Sequence, residues 1–167
     1  MADAACKRAP VELVLARPVS PGKHLTLVIG GVADVEEAML AGVAAADDTL
    51  VDRLQLAQVA AQVISALRSQ REILDDNSVG IIETFSVAST LLAADAACKA
   101  AHVRLAALRL ADGIGGKAFF TVQGDQADVE AALLAAEAVI KSGLLAGREL
   151  IARPHDDLLA ELRRQHL

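Results

Sequence analysis

From residue 79 onward the pattern of apolar and polar positions predicts four strands and three helices in the order β-α-β-β-α-β-α. The strands are short apolar runs, and the helices are alanine-rich or amphipathic runs without proline or glycine. Glycines at 113, 115 and 116 permit the positive backbone angles of a tight hairpin between the second and third strands. The predicted strands are Val79–Thr84, His102–Ala111, Lys117–Gln123 and Arg148–Arg153. The predicted helices are Ser86–Ala101, Asp128–Ser142 and Asp156–Gln165.

The residues before 70 follow the same order from Val11 onward. A capping-box pattern, Asp34 followed three residues later by Glu37, predicts where the central helix of this part begins. The β-α-β-β-α-β order is the split βαβ, ferredoxin-like arrangement. The fold class is therefore α/β (α+β), with two tandem ferredoxin-like βαββαβ domains. In the first domain, strands are predicted at Val11–Arg17, Lys23–Ile29 and Arg53–Gln58, and a last helix at Ala60–Ser69.

A tandem duplication underlies this recurrence. The hexapeptide Ala2–Lys7 recurs letter for letter as Ala94–Lys99, and Gly22–Glu36 shares eight identities over fifteen positions with Gly116–Glu130. A period of about half the chain indicates two similar domains rather than a solenoid, whose repeats run to about 20–50 residues. We place the domains at 1–69 and 78–167, joined by a charged linker at 70–77.

The first repeat lacks the counterpart of the strand that opens the second. Sixteen residues, Ser78–Ala93, precede the hexapeptide in repeat two, whereas Met1 alone precedes it in repeat one. The opening strand lies in the middle of a ferredoxin-like sheet, so its loss leaves two neighbouring strands without a partner. We expect that the chain as given starts late, through a trimmed or misassigned start.

Composition narrows the function. Hydrophobic residues make up 54% of the chain, but its aromatic residues are Phe85, Phe119 and Phe120, so the apolar surface is mainly Ala, Leu and Val. This surplus of apolar residues predicts that part of the apolar surface is buried between subunits. A formal charge of −6 and the lack of a basic stripe argue against a nucleic-acid partner, because binding a polyanion requires clustered Lys and Arg. Neither an export signal nor a membrane span is indicated, so a cytosolic protein is expected. Cys6 and Cys98 hold the same place in the two repeats and are predicted to be buried helix thiols rather than a disulfide.

Candidate chemistry is sparse, and we expect no enzyme. Gly113–Lys117 looks like a phosphate loop, but Ala111 and Ala118 stand where a Walker loop needs Gly and Ser or Thr, so a hairpin turn is the better interpretation. No zinc-ligand spacing and no nucleophile beside a base are present. Glu83 is interpreted as a structural hydrogen-bond acceptor. The histidines are scattered, at His24, His102, His155 and His166.

Four segments carry a resemblance to a known family. They are Val79–Thr84, Ala94–Lys99, Gly113–Lys117 and Ile151–His155. Across essentially the whole chain the sequence resembles the shell proteins of bacterial microcompartments, in particular the tandem-domain trimeric class of the propanediol-utilization type. The resemblance implies a homotrimer that forms a pseudohexameric tile, packs edge to edge with other shell proteins in a shell around encapsulated enzymes, and has a central pore for small metabolites.

The family's functional positions can be carried over residue by residue. Lys7 and Lys99 would be edge lysines, and Arg153 and His155 belong to the edge Arg-Pro-His, whereas repeat one has Val59–Ala61 at that place. The loop between the second and third strands would line the pore. Its residues here are Pro18, Val19, Ser20, Pro21 and Gly22 in repeat one and Asp112, Gly113, Ile114, Gly115 and Gly116 in repeat two.

Ser20 is a departure with consequences for a cofactor. In related shell proteins a Cys at this position can hold an iron-sulfur cluster on the threefold axis, and a Ser hydroxyl is a poor substitute for thiolate. We therefore expect no iron-sulfur cluster and no metal. Two other functions stay open at this point: a regulatory module that binds a small metabolite between paired ferredoxin-like domains, and an electron-relay shell protein, against which Ser20 counts.

Overall fold

The protein is described by a computed structural model that covers residues 1–68, 77–111 and 113–165. The chain forms two compact units, unit 1 at residues 1–57 and unit 2 at residues 58–167. Unit 1 contains α1 (Ala2–Arg8), β1 (Glu12–Val19), β2 (Lys23–Ile29) and α2 (Val32–Ala46), followed by a single 3₁₀ turn at Asp47–Thr49. Unit 2 contains α3 (Ala61–Leu67), β3 (Ser78–Thr84), α4 (Val87–Ala100), β4 (Arg104–Leu110), β5 (Ala118–Gly124), α5 (Gln126–Val139), β6 (Leu145–Ile151) and α6 (Asp156–Gln165).

Unit 2 contains a complete ferredoxin-like sheet. Its strands lie in the order β4-β5-β3-β6, and every neighbouring pair is antiparallel. The predicted βαββαβ order and two-domain organisation are confirmed, with strand and helix ends shifted by a few residues. Gly80 of β3 lies directly under α5, where an added Cβ would meet Val129 Cγ1 at 2.7 Å. The side chains at the centre of the core are fully buried, and they are Ile82, Phe120, Val122, Val129 and Leu133.

Unit 1 contains half of that sheet. All of residues 1–57 are described, and within them β1 and β2 form a two-stranded antiparallel hairpin. The strand predicted at Arg53–Gln58 is wrong, because these residues are irregular. In unit 2 the corresponding strand, β6, pairs with β3, and unit 1 has no counterpart of β3 among its residues. A sequence that suits a strand stays irregular when no neighbour offers hydrogen bonds.

The two hairpins share one geometry. Leu13 pairs with Val28 ahead of an irregularity before Leu15, and Leu105 pairs with Val122 ahead of an irregularity before Ala107. The turns that lead into the hairpins also match, with N–H to carbonyl distances of 2.8 Å from position 11 to 9 and 2.9 Å from position 103 to 101. A bulge changes strand twist and direction, so the shared bulge shows that the duplication is structural as well as sequential.

Two local predictions are corrected in unit 1. Helix α2 begins at Val32 with Gly31 as its N-cap, so Asp34 lies in the first turn and does not cap the helix. Its charge there is still favourable, because helix N-termini stabilise acidic groups. Cys6 is exposed rather than buried, whereas Cys98 is partly covered, and both thiols are free. Both α5 and α3 pack on α4, which carries Cys98, whereas α1 packs on α2.

Helix α3 belongs to repeat one by sequence but packs within unit 2. The compact units therefore divide at residues 57 and 58, ahead of the domain end that the repeat suggests at 69. Residues 70–76 of the predicted linker lie outside the described part of the chain. Tail helix α6 spans Asp156–Gln165, as predicted from the sequence.

Candidate pore loops and edge residues

The first candidate pore loop closes the β1–β2 hairpin. The ladder runs to its last pair at Val19 and Lys23, so the three residues between them form the tip. Gly22 adopts a φ of 63°, which its lack of a side chain permits. Ser20 is exposed at the tip, with its hydroxyl available to solvent. An open depression of about 640 Å³ lies at this tip and is lined by Pro18, Val19, Ser20, Gly22, Lys23 and His24.

The second candidate pore loop closes the β4–β5 hairpin. Ala111 N–H donates to the Lys117 carbonyl at 3.0 Å, and Lys117 N–H donates to the Ile114 carbonyl at 3.2 Å. Gly113, Gly115 and Gly116 all have positive φ, between 66° and 81°. The hairpin-turn interpretation is confirmed. The loop joins two strands, whereas a phosphate loop must lead into a helix. Asp112 lies outside the described residues.

A small charged cluster lies at the base of the second loop. Lys117 Nζ lies 3.4 Å from Glu83 Oε1, and it also stands 5.4 Å from the centroid of the exposed Phe85 ring. The pair joins the residue just before β5 to β3, so Glu83 serves as an ion-pair partner near the end of β3. The interpretation of Glu83 as a structural acceptor is therefore confirmed. No sequence signal linked Lys117 to Phe85, because the two meet only across the sheet.

The two candidate edge lysines form equivalent ion pairs in different surroundings. Lys7 pairs with Asp3 at 2.8 Å, and both side chains are exposed. Lys99 pairs with Asp95 at 2.6 Å, but the Asp95 side chain is 8% exposed against 77% for Asp3. Each pair holds an ammonium group in the last turn of a helix, where the helix dipole also favours positive charge.

Arg153 and His155 lie between β6 and α6. Both are exposed, whereas Pro154 between them is buried, so the proline fixes the segment and the flanking side chains project outward. His155 Nδ1 accepts a hydrogen bond from the Asp157 N–H at 3.2 Å. The two residues are therefore available to a partner at the start of α6.

Asp95 has a structural role that the sequence did not predict. Its Oδ1 accepts the Ala60 N–H at 2.8 Å while Oδ2 binds Lys99, so one buried carboxylate holds both the start of α3 and the end of α4. Gln62 completes the attachment of α3, because its amide donates to the Val103 carbonyl at 2.9 Å and accepts the Leu105 N–H at 2.7 Å. In the sequence, Asp95 and Lys99 look like an ordinary surface i,i+4 pair.

The two thiols are expected to react at very different rates. Burial, together with the nearby negative charge of Asp95, raises the pKa of Cys98 to about 11, so only about a thousandth of it is thiolate at pH 8. Cys6 is exposed. With iodoacetamide at pH 8, mass spectrometry should find one rapid label per chain, at Cys6. The Cys6→Ala variant should take up almost none until urea unfolds it, and equal rates at both thiols would contradict this assignment.

The donor atoms of the first loop do not suit an iron-sulfur cluster. Such a cluster needs thiolate ligands, and the tip from Pro18 to Gly22 offers a hydroxyl and backbone groups instead. The two cysteines lie on α1 and α4, away from either loop in sequence. Across the described residues, no three His, Cys, Asp or Glu side chains come together as metal ligands. None of the helices described is both long and apolar enough to cross a bilayer.

Known proteins resemble this chain in both sequence and fold. The BMC domain model matches residues 1–64 and again 78–154. The chain is 39% identical over 161 residues to the bacterial microcompartment shell protein PduT of Citrobacter freundii, covering 96% of this chain and 88% of PduT. It is 31% identical over 180 residues to the carboxysome assembly protein CcmO of Synechococcus elongatus, covering 62% of that protein. A crystal structure of a microcompartments protein from Desulfitobacterium hafniense superposes with a TM-score of 0.88 at 40% identity, covering 94% of this chain and 88% of that one.

Proposed function

The chain belongs to the BMC-domain family of bacterial microcompartment shell proteins, and we propose that three copies of it close into a six-sided tile with a central pore. Its role is structural, as a component of the microcompartment shell. The observation that supports the tile is the common geometry of the two hairpins, which share a strand register and a bulge. Three copies of two equivalent hairpins supply six similar positions around a threefold axis, and closed rings are the usual outcome for identical chains.

The pore would be lined by the tips of the two hairpins. Ser20 supplies a hydroxyl, and Lys23 adds a positive charge to the same depression. The tip of the second hairpin is mostly glycine, which leaves backbone amides accessible. Three copies of each tip would form a polar opening lined by the Ser20 hydroxyls and backbone amides, with Lys23 and Asp112 adding charges of both signs, so we propose that it passes small polar metabolites.

The tile edges would carry Lys7, Lys99, Arg153 and His155. These four residues are exposed, and their side chains would donate hydrogen bonds to main-chain carbonyls of adjacent tiles, either copies of this chain or other shell proteins. The enclosed enzymes would face one side of the resulting sheet. The chain itself would catalyse nothing, since its family is structural.

Edge contacts can be separated from tile formation by one substitution. Arg153→Ala removes an exposed guanidinium from the segment beside β6, and we expect it to abolish extended hexagonal sheets in electron micrographs while the tile itself stays intact. Lys141→Ala, at another exposed cation of unit 2, is the matched control and should leave the sheets unchanged. If Arg153→Ala forms sheets with the same lattice and extent as those of the parent protein, then Arg153 takes no part in the contacts between tiles.

The absence of an iron-sulfur cluster is part of the proposal and has its own test. Protein purified without oxygen should contain far less than one iron and one sulfide per three chains and should lack absorbance near 400 nm, because Ser20 provides no thiolate. The Ser20→Cys variant, purified alongside, shows whether the assay would detect a cluster at this loop. Stoichiometric iron and sulfide in the parent protein would contradict this assignment.

A further inference from the structure

Helix α3 shows how the last helix of one repeat docks on the other repeat, because it belongs to repeat one by sequence and packs on α4 and β4 of repeat two. Ala60 N–H reaches the Asp95 carboxylate, and the Gln62 amide bonds the backbone at the start of β4. Val63, the third residue of α3, is fully buried. The docking surface is therefore the end of α4 and the start of β4, where the Asp95 carboxylate and the Leu105 N–H bind α3.

The same surface recurs in unit 1, where it is open. The turn at 9–11 and the bulge after Leu13 reproduce the turn at 101–103 and the bulge after Leu105. Asp3 and Leu13 stand where Asp95 and Leu105 stand in unit 2. Leu13 is 43% exposed against 4% for Leu105, and the Asp3 carboxylate is largely solvated. Unit 1 thus presents an exposed apolar side chain and an exposed carboxylate at the two positions that are buried in unit 2.

A second copy of the docking helix follows repeat two. Helix α6 begins directly after His155, as α3 begins directly after Ala60. Counted from these helix starts, which lie one residue apart in the alignment of Val59–Ala61 with Arg153–His155, the third residue is Leu158 in α6 and Val63 in α3. Leu158 is 38% exposed, whereas the adjacent Leu159 is buried. Helix α6 is therefore anchored by Leu159 and leaves uncovered the residue that corresponds to the docking side chain of α3.

We propose that α6 of one copy docks on α1 and the start of β1 of the next copy, with Leu158 packed against Leu13. His155 N–H would reach the Asp3 carboxylate as Ala60 N–H reaches Asp95. Asp157 stands in the place of Gln62 and can accept the Leu13 N–H, although a carboxylate has no donor for the Val11 carbonyl. The contact joins different surfaces on the two copies and is therefore heterologous, the kind of contact that closes rings.

This docking rests on the proposed function, because the number of copies in the ring is taken from the proposed tile. The docking adds the residues through which neighbouring copies contact each other. Its test uses two variants in a Cys6→Ala, Cys98→Ala background, one with Leu13→Cys and one with Leu158→Cys, co-expressed with different tags. We expect mild oxidation to give a disulfide-linked dimer that carries both tags. Val51→Cys replaces Leu13→Cys in the control, because Val51 is also an exposed apolar residue of unit 1, and it should cross-link at least tenfold less.

The outcomes separate the docking from the tile. Three-copy particles without the Leu13–Leu158 cross-link, or with a cross-link no stronger than that of Val51, would overturn the docking and leave the tile standing. Leu158→Asp provides a second readout that does not depend on disulfide geometry. It should weaken assembly of the parent protein at least tenfold, whereas Val51→Asp should not, and unchanged assembly of Leu158→Asp would also overturn the docking.

Discussion

Gly80→Ala should destabilise unit 2 by about 1–3 kcal/mol, because a methyl group at this position meets a packed helix. The new Cβ would lie 2.7 Å from Val129 Cγ1 and 3.1 Å from both terminal carbons of Leu133. Val129 is β-branched and sits in α5, where its side chain has few alternative rotamers. Relief therefore requires α5 to move away from β3. The urea midpoint of the folded signal, followed by circular dichroism, measures the effect.

Gly147→Ala is the matched control for this prediction. Gly147 lies in β6 of the same sheet, beside β3, and an added Cβ there meets nothing within 4 Å. Its replacement should leave stability unchanged or raise it by about 0.4–1 kcal/mol, because alanine restricts the unfolded chain. Equal midpoints for the two variants would show that the close approach of α5 to Gly80 is not a feature of the folded protein.

Asp95→Ala should have the second large effect, a loss of about 1–3 kcal/mol, because it leaves a half-buried N–H without an acceptor. The substitution removes the acceptor of the Ala60 N–H and the partner of Lys99 at once. Helix α3 should then detach more often, so amide hydrogen exchange across residues 60–67 should accelerate at least tenfold. Asp95→Asn keeps one acceptor oxygen and should preserve much of the protection.

Asp3→Ala tests whether the environment of the ion pair, rather than the pair itself, sets this cost. The Asp3–Lys7 pair has the same i,i+4 spacing as the Asp95–Lys99 pair and a similar N···O distance. In the Asp3–Lys7 pair, however, both side chains are exposed. Exposed pairs contribute roughly 0–1 kcal/mol, so the stability of the isolated chain should change little. A loss as large as that of Asp95→Ala would contradict the role assigned to burial.

Most of unit 2 could be predicted from the sequence, because the residue pattern of each element agrees with the position that the element takes in the fold. Val79–Thr84 is apolar and central, and Ser86 caps α4 by accepting the Ser89 N–H, so local pattern and final position agree. Gly113–Gly116 formed the expected turn because glycine occupies positive φ at little cost. Confirmed elements of this kind depend on neighbours that are close in sequence or present in the same unit.

The features that sequence reasoning missed depend on distant partners. The stretch at Arg53–Gln58 has strand character, but its state is decided by whether a central strand lies beside it. The attachment of α3 joins Gln62 to backbone groups about forty positions away, and no residue pattern marks a main-chain acceptor. Likewise, the hexapeptide that both cysteines share could not reveal that Cys6 is exposed and Cys98 partly buried, because the exposure of a thiol depends on how its helix packs.

Assembly of this chain into a three-copy shell tile can be tested by native mass spectrometry of the purified protein, combined with electron-microscopic class averages of the same sample. If three copies form the tile, the sample should contain a particle of three times the 17.3 kDa chain mass and give six-sided views with a central opening. A discrete twofold dimer whose stability rises with a small metabolite would instead support a regulatory module, and it would contradict the assignment of this chain as a shell tile.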